Sequence, residues 1–216
     1  MICATMHFFP GGTLLKSYDL VHWEIAAHVF ERLDDTPAEQ LEGEQSIYGK
    51  GMWAASLRYH KDTFYVCFAS YDTGKTYIYR TKNINEPWEK RSLDGVYHHP
   101  SLLFDEDGRI YMGYGFNEVR ILELNDTLTA PKEGGFERLL VEEKQDAYIS
   151  YEGAHFYKKD GTYYIFVIQW LKGNLTQREQ LCLYGDSLDG EFKKEMVFSE
   201  NLGFPMKGVA QGLSLI

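Results

Sequence analysis

Cysteine is scarce. The 216 residues hold three, Cys3, Cys67 and Cys182, far apart and outside any metal-ligand spacing, so neither a disulfide framework nor a zinc cluster is expected. Cys67 sits in the apolar run FYVCFAS and Cys182 in LCLYG, so both read as buried small apolar side chains. No apolar run approaches the roughly 20 residues that span a bilayer. The N-terminal MICATMHFFPGG has no basic stretch followed by an apolar one, so no signal peptide is expected within it. Positive charge is in deficit: 22 Lys and Arg stand against 32 Asp and Glu, a formal net charge of -10. A field of that sign opposes phosphate backbones and anionic lipid, so neither nucleic acid nor a membrane surface is an expected partner. HExxH, CxxC and GxSxG are absent, and Gly11-Gly12 opens no helix that could cradle a phosphate. No cofactor and no metal is implied. Adjacent residues on a strand face opposite ways, which argues against one ion held by His98 and His99 together.

Aromatic residues are what the chain has in plenty, at 15% of its composition, chiefly 16 Tyr and 13 Phe. Flat rings suit half-buried strands, and they also suit sugar sites, where they stack on pyranose or furanose faces. The strand signals agree: TFYVCFAS, KTYIYRT, RIYMGYG, VRILELN, TYYIFVIQW and QLCLYG are short, aromatic or β-branched, and bounded by turn residues. Helical periodicity is poor. The best stretch, Thr36 to Glu44, is short and acidic and reads as loop.

Three segments repeat one layout of strand, tight turn, strand, turn, strand and polar turn. They open at WAASLRYHKDTFYVCFAS, at HPSLLFDEDGRIYMGYG and at EGAHFYKKDGTYYIFVIQW. Their turn aspartates Asp62, Asp107 and Asp160 lie 45 and 53 residues apart, a period that points to blades of a β-propeller. Asp107-Gly108 and Asp160-Gly161 are hairpin turns by composition. A β-sandwich is the other all-β reading, but it has no need of so regular a repeat. Residues 1 to 25 match only the back half of a unit, Trp23 pairing with Trp88, and GVAQGLSLI matches only the opening of another. An all-β, incomplete propeller is therefore expected: part of a first blade, most of three more and the start of the next, as one domain over 1–216.

The innermost strand of each blade lines a propeller's axis. Eight residues before each turn aspartate stand Ala54, His99 and Glu152. Glu152 opens a strand otherwise made for burial, so its carboxylate must be paired or functional. Gly153 beside it allows close backbone approach.

These residues resemble glycoside hydrolase family 43. MHFFPGGTLLKSYDLVHWE, YGKGMWAASLRYHKDTFYV, HHPSLLFDEDGRIYMGYG, YEGAHFYKKDGTYYIF and GVAQG match that family's successive strand motifs in order. The resemblance implies a five-bladed propeller that cleaves xylose- or arabinose-containing oligo- or polysaccharides, as β-xylosidases and α-L-arabinofuranosidases do, with inversion by an acid and a base. It implies Glu152 as general acid, with Trp53, Phe9, Gln211 and, more loosely, Trp170 lining the sugar site. The family's general-base Asp lies on a strand upstream of Cys3, and the Asp that tunes the acid is here His99. Both departures predict impaired hydrolysis by these residues, and a carbohydrate-binding propeller without catalysis is the other reading.

Overall fold

The computed structural model describes residues 1–142, 147–172 and 178–199. The described residues are all-β, with fifteen strands and no helix; none is therefore long and apolar enough to cross a membrane as a helix. The chain divides into two compact units: Met1–His98 with Thr127–Ala130, and His99–Asp126 with Pro131–Ile216.

The first unit holds two sheets. β1 (Ile2–Cys3), β2 (Gly11–Lys16) and β3 (Glu24–Phe30) form a three-stranded meander, and β4 (Ser56–His60), β5 (Thr63–Ser70), β6 (Lys75–Thr81) and β7 (Glu89–Asp94) a four-stranded one. The second unit holds two more four-stranded meanders. One runs through β8 (Ser101–Phe104), β9 (Ile110–Tyr114), β10 (Glu118–Leu124) and β11 (Glu137–Glu142). The other runs through β12 (Ala147–Lys159), β13 (Thr162–Leu171), β14 (Glu179–Gly185) and β15 (Lys193–Phe198). Every neighbour is consecutive and antiparallel, the connectivity of propeller blades. The three full sheets are the three repeats read from the sequence.

Each repeat turns where its aspartate stands. Lys61 and Asp62 take φ of 46° and 58°, and Asp160 and Gly161 take 52° and 82°. Consecutive left-handed residues are the geometry of the tightest hairpins. Asp107 instead sits in a wider loop, where Gly108 (φ 86°) donates its N–H to the Asp105 carbonyl at 3.1 Å.

The alternating aromatic residues pack as rings. In the first unit Phe30 stacks on Phe68 at 5.5 Å and on Tyr79 at 5.4 Å, above Leu14, Val29, Met52 and Val66. Trp88 packs against this core, whereas its counterpart Trp23 is 40% exposed. The second unit's core gathers Tyr111, Ile121, Tyr151, Phe156, Ile165 and Leu181. Cys67 and Cys182 are buried as read, and burial pushes the Cys182 thiol up to about 11 and the Cys67 thiol higher still.

The acidic stretch after Phe30 is loop, as its sequence implies, and it is tied down. Asp34 accepts from the Tyr77 hydroxyl at 2.6 Å, from Lys75 at 3.5 Å and from Lys90. Burial alone would raise the Asp34 carboxyl, but these donors outweigh it and hold it below the usual carboxylate range. Buried Glu39 accepts the backbone N–H groups of Asp34 and Asp35, so the turn closes on itself.

Candidate active site

Glu152 lies on β12, which is 13 residues long, while the equivalent strands β4 and β8 have five and four. The extra length does not pair regularly. Glu152 is opposite Ile168 and His155 is opposite Phe166, so Gly153 and Ala154 together face the single residue Val167. This is a β-bulge, a device that re-aims a side chain and is common beside active sites. Gly153 provides the required left-handed conformation, with φ 74°. The buried Gln180 side chain on β14 donates to the Val167 carbonyl at 3.0 Å, satisfying a backbone oxygen opposite the bulge.

The strand is fixed ahead of Glu152 by Asn117. Its side-chain oxygen accepts the Ser150 N–H at 2.9 Å, and its own N–H donates to the Tyr151 carbonyl at 2.9 Å. Asn117 holds φ 60°, which suits it to a role in which both backbone and side chain grip a neighbour. On the far side of the bulge Phe156 donates its N–H to the Ser101 hydroxyl at 3.0 Å.

The Glu152 carboxylate is only 7% exposed and lies 3.7 Å from Nδ1 of His99, itself 5% exposed. That distance allows an ion pair when the imidazole is protonated but is too long for a direct hydrogen bond. His99 is non-glycine with φ 47°, a strained backbone of the kind that accumulates at functional sites. A buried carboxylate beside a buried imidazole can exchange and store protons, which is what acid–base chemistry requires.

The predicted sugar-site residues distribute as follows. Trp53 is half-buried in the first unit. Its indole donates to the Gly49 carbonyl at 3.2 Å, and its ring meets Tyr71 at 5.2 Å and His98 at 5.5 Å. Tyr71 and His98 are joined at 2.6 Å between hydroxyl and Nδ1. Sequence reasoning singled out neither as a partner of Trp53; the signal available was the aromatic residue immediately after strand β5. Phe9 is half-buried and packs edge-on to Phe30 at 6.2 Å, while the preceding Phe8 is 68% exposed. Trp170, at the end of β13, pairs with Tyr148 at 5.5 Å and carries the Arg178 guanidinium 5.3 Å from its ring. Gln211 lies outside the described residues.

Consecutive antiparallel meanders repeated along the chain are the architecture of an all-β protein of the propeller class, and a buried glutamate on a bulged strand lies beside the buried His99. The sequence profile described as glycosyl hydrolases family 43 matches residues 1–194, and the chain belongs to that family. It is 27% identical to a β-xylosidase of Formosa agariphila over 98% of this chain and 39% of the relative. It is 33% identical to a non-reducing end α-L-arabinofuranosidase of Bacteroides ovatus over 76% of this chain and 31% of the relative. A solved structure described as a bifunctional GH43-CE protein of Bacteroides eggerthii superposes with a TM-score of 0.89 at 35% identity, over 98% of this chain and 27% of that one. The chain thus spans well under half the length of these relatives.

Proposed function

We propose that the chain is the catalytic propeller portion of a glycoside hydrolase that cleaves xylose- or arabinose-containing oligo- or polysaccharides, with Glu152 as general acid. The observation that carries this reading is the bulge that turns a buried glutamate toward His99 in a chain of family 43. Inversion would need a base carboxylate about 6.5–9.5 Å from the acid, leaving room for the attacking water. The family's base strand has no counterpart among these residues, and a complete five-bladed ring would place one. Taken alone, these residues would supply the acid without its base, and loss of one such partner lowers turnover about 10²–10⁴-fold. The family resemblance assigns sugar-binding roles to Trp53, Phe9, Trp170 and Gln211, and the ligand is a neutral pentose chain. Neither nucleic acid nor membrane suits the net charge of -10.

A second reading, a sugar-binding propeller that no longer catalyses, is favoured by His99 standing where the family carries its tuning Asp. Assays on aryl β-xylosides and aryl α-L-arabinofuranosides, beside Glu152→Gln, separate the two. Turnover lost in the variant supports the enzyme. Equal turnover in both proteins sinks the role of Glu152. Sugar binding with no turnover in either fits both a missing base and the binding reading, and restoring the upstream strand together with His99→Asp then separates them, since only the enzyme reading expects turnover to return.

A further inference from the structure

Beside Trp53 the first unit carries a second set of rings that faces solvent. Phe8 is 68% exposed and Tyr48 is 76% exposed. The His7 imidazole stands between them, 4.4 Å from the Phe8 ring and 4.5 Å from the Tyr48 ring, with interplanar angles of 37° and 41°. Three adjoining rings of this kind form a shallow curved surface, with two broad apolar faces left to water.

The surface is held rigidly from below. Ile47, next to Tyr48, is buried, and its carbonyl accepts the Lys50 N–H at 2.7 Å. Lys50 in turn accepts the Asp72 N–H at 2.8 Å. Met52 donates its N–H to the Met6 carbonyl at 2.7 Å, which draws the segment before Phe8 onto the one after Tyr48. Gly51 makes that approach possible, since a Cβ there would lie 2.2 Å from the Met6 carbonyl oxygen. Gly49, at φ 70°, joins the two ring sets: its N–H points to His7 Nδ1 at 3.4 Å, and its carbonyl accepts the Trp53 indole N–H at 3.2 Å.

Exposed aromatic side chains cost solubility when nothing uses them, and here they sit on a preorganised support rather than on a loose loop. Rich in π-faces, the surface fits the C–H face of a sugar ring. Anionic polymers are disfavoured by the acidic chain. We propose that His7, Phe8 and Tyr48 form an accessory subsite that stacks a further residue of a neutral pentose oligosaccharide, next to the subsite walled by Trp53. The proposal rests on the glycosidase reading above and specifies its substrate as a chain longer than one sugar.

Ligand-observed NMR titrations test it, with xylose, linear xylo-oligosaccharides of two to four units and the matching arabino-oligosaccharides, against the protein and its Phe8→Ala, Tyr48→Ala and Tyr48→Trp variants. Both positions are exposed, so thermal unfolding should be unchanged and serves as the folding control. Affinity is expected to rise with chain length. Tyr48→Ala should weaken the longer ligands about tenfold, leave the monosaccharide unchanged, and be rescued by Tyr48→Trp. If monosaccharide binds but length adds nothing, or the variants keep the full gain, the subsite is overturned and the glycosidase reading stands. If no sugar of any length binds, both fall.

Discussion

Of the three carboxylates buried among the described residues of the second unit, Asp105, Glu123 and Glu152, the first and the last have different neighbours. Asp105 is 4% exposed and fully engaged: Lys158 donates at 2.6 Å, the Tyr163 hydroxyl at 2.6 Å, and the Glu106 N–H at 2.6 Å. Burial would raise its carboxyl, but the hydrogen bonds from Lys158 and Tyr163 prevail and hold it below the usual range, while the same contacts raise Lys158. Glu152 is about as deeply buried, and the group beside it is an imidazole, with Nδ1 of His99 at 3.7 Å. A saturated carboxylate is committed to staying ionised and holding two strands together. A carboxylate facing a titratable ring beside a bulge is placed to trade protons. Burial alone therefore does not distinguish the proposed acid from a structural carboxylate; the chemistry of the group beside it is what the proposal uses.

The largest effect expected from breaking this comparison is kinetic. Glu152→Gln should lower whatever aryl glycoside turnover the protein shows by about 10²–10⁴-fold while leaving the thermal midpoint nearly unchanged. Asp105→Asn should do the reverse, and steady-state assays paired with melting curves read both. Next in size, Lys158→Met leaves Asp105 buried without its cation and should cost about 3–5 kcal/mol in urea unfolding, with Asp105→Asn in the same background recovering part of that loss. Gln180→Leu removes the donor to the Val167 carbonyl. It should cost about 1–3 kcal/mol and reduce turnover as well, because the bulge that aims Glu152 loses its backing. A fall in stability without a fall in turnover would separate Gln180 from the site. The smallest effect is the pH dependence of unfolding. A carboxyl held below its unfolded value of about 3.9 binds fewer protons in the folded state. Its stabilisation is present above that value and fades as pH falls through the folded value. Asp105→Asn should flatten the acid side of the stability profile, and an unchanged slope would mean that Asp105 contributes nothing to it.

Much of the architecture was legible in the sequence because turn chemistry is local. Asp62, Asp107 and Asp160 marked three sheets whose strands and order the structure reproduces, and the acidic segment after Asp34 lacked the period of a helix. That Glu152 belongs to a buried strand was legible too, but its place there was not: read as opening the strand, it lies inside β12, which begins at Ala147. What could not be read depends on partners distant in sequence. The bulge at Gly153 arises from the register between β12 and β13. Asn117 holds Ser150 across 33 residues, and Gln180 reaches a carbonyl on the neighbouring strand. The pair Phe8-Phe9 lies between β1 and β2, where no strand period applies, and only packing against Phe30 decides which ring turns inward. The repeat likewise predicted that Trp23 and Trp88 are equivalent, and they are so in sequence position but not in burial.

The irregular pairing of β12 also shapes how the strand opens over time. A regular strand of 13 residues would protect its amides uniformly from hydrogen exchange. Here the ladder is interrupted three times between Ala147 and His155. Amides near Glu152 are thus expected to exchange through small local openings of low free energy, while Phe156 to Lys159, paired in register with Ile165 to Thr162, exchange only when the sheet as a whole comes apart. The carboxylate would then sit in the compliant part of an otherwise stiff strand, able to adjust to a ligand without disturbing the hairpin that anchors it.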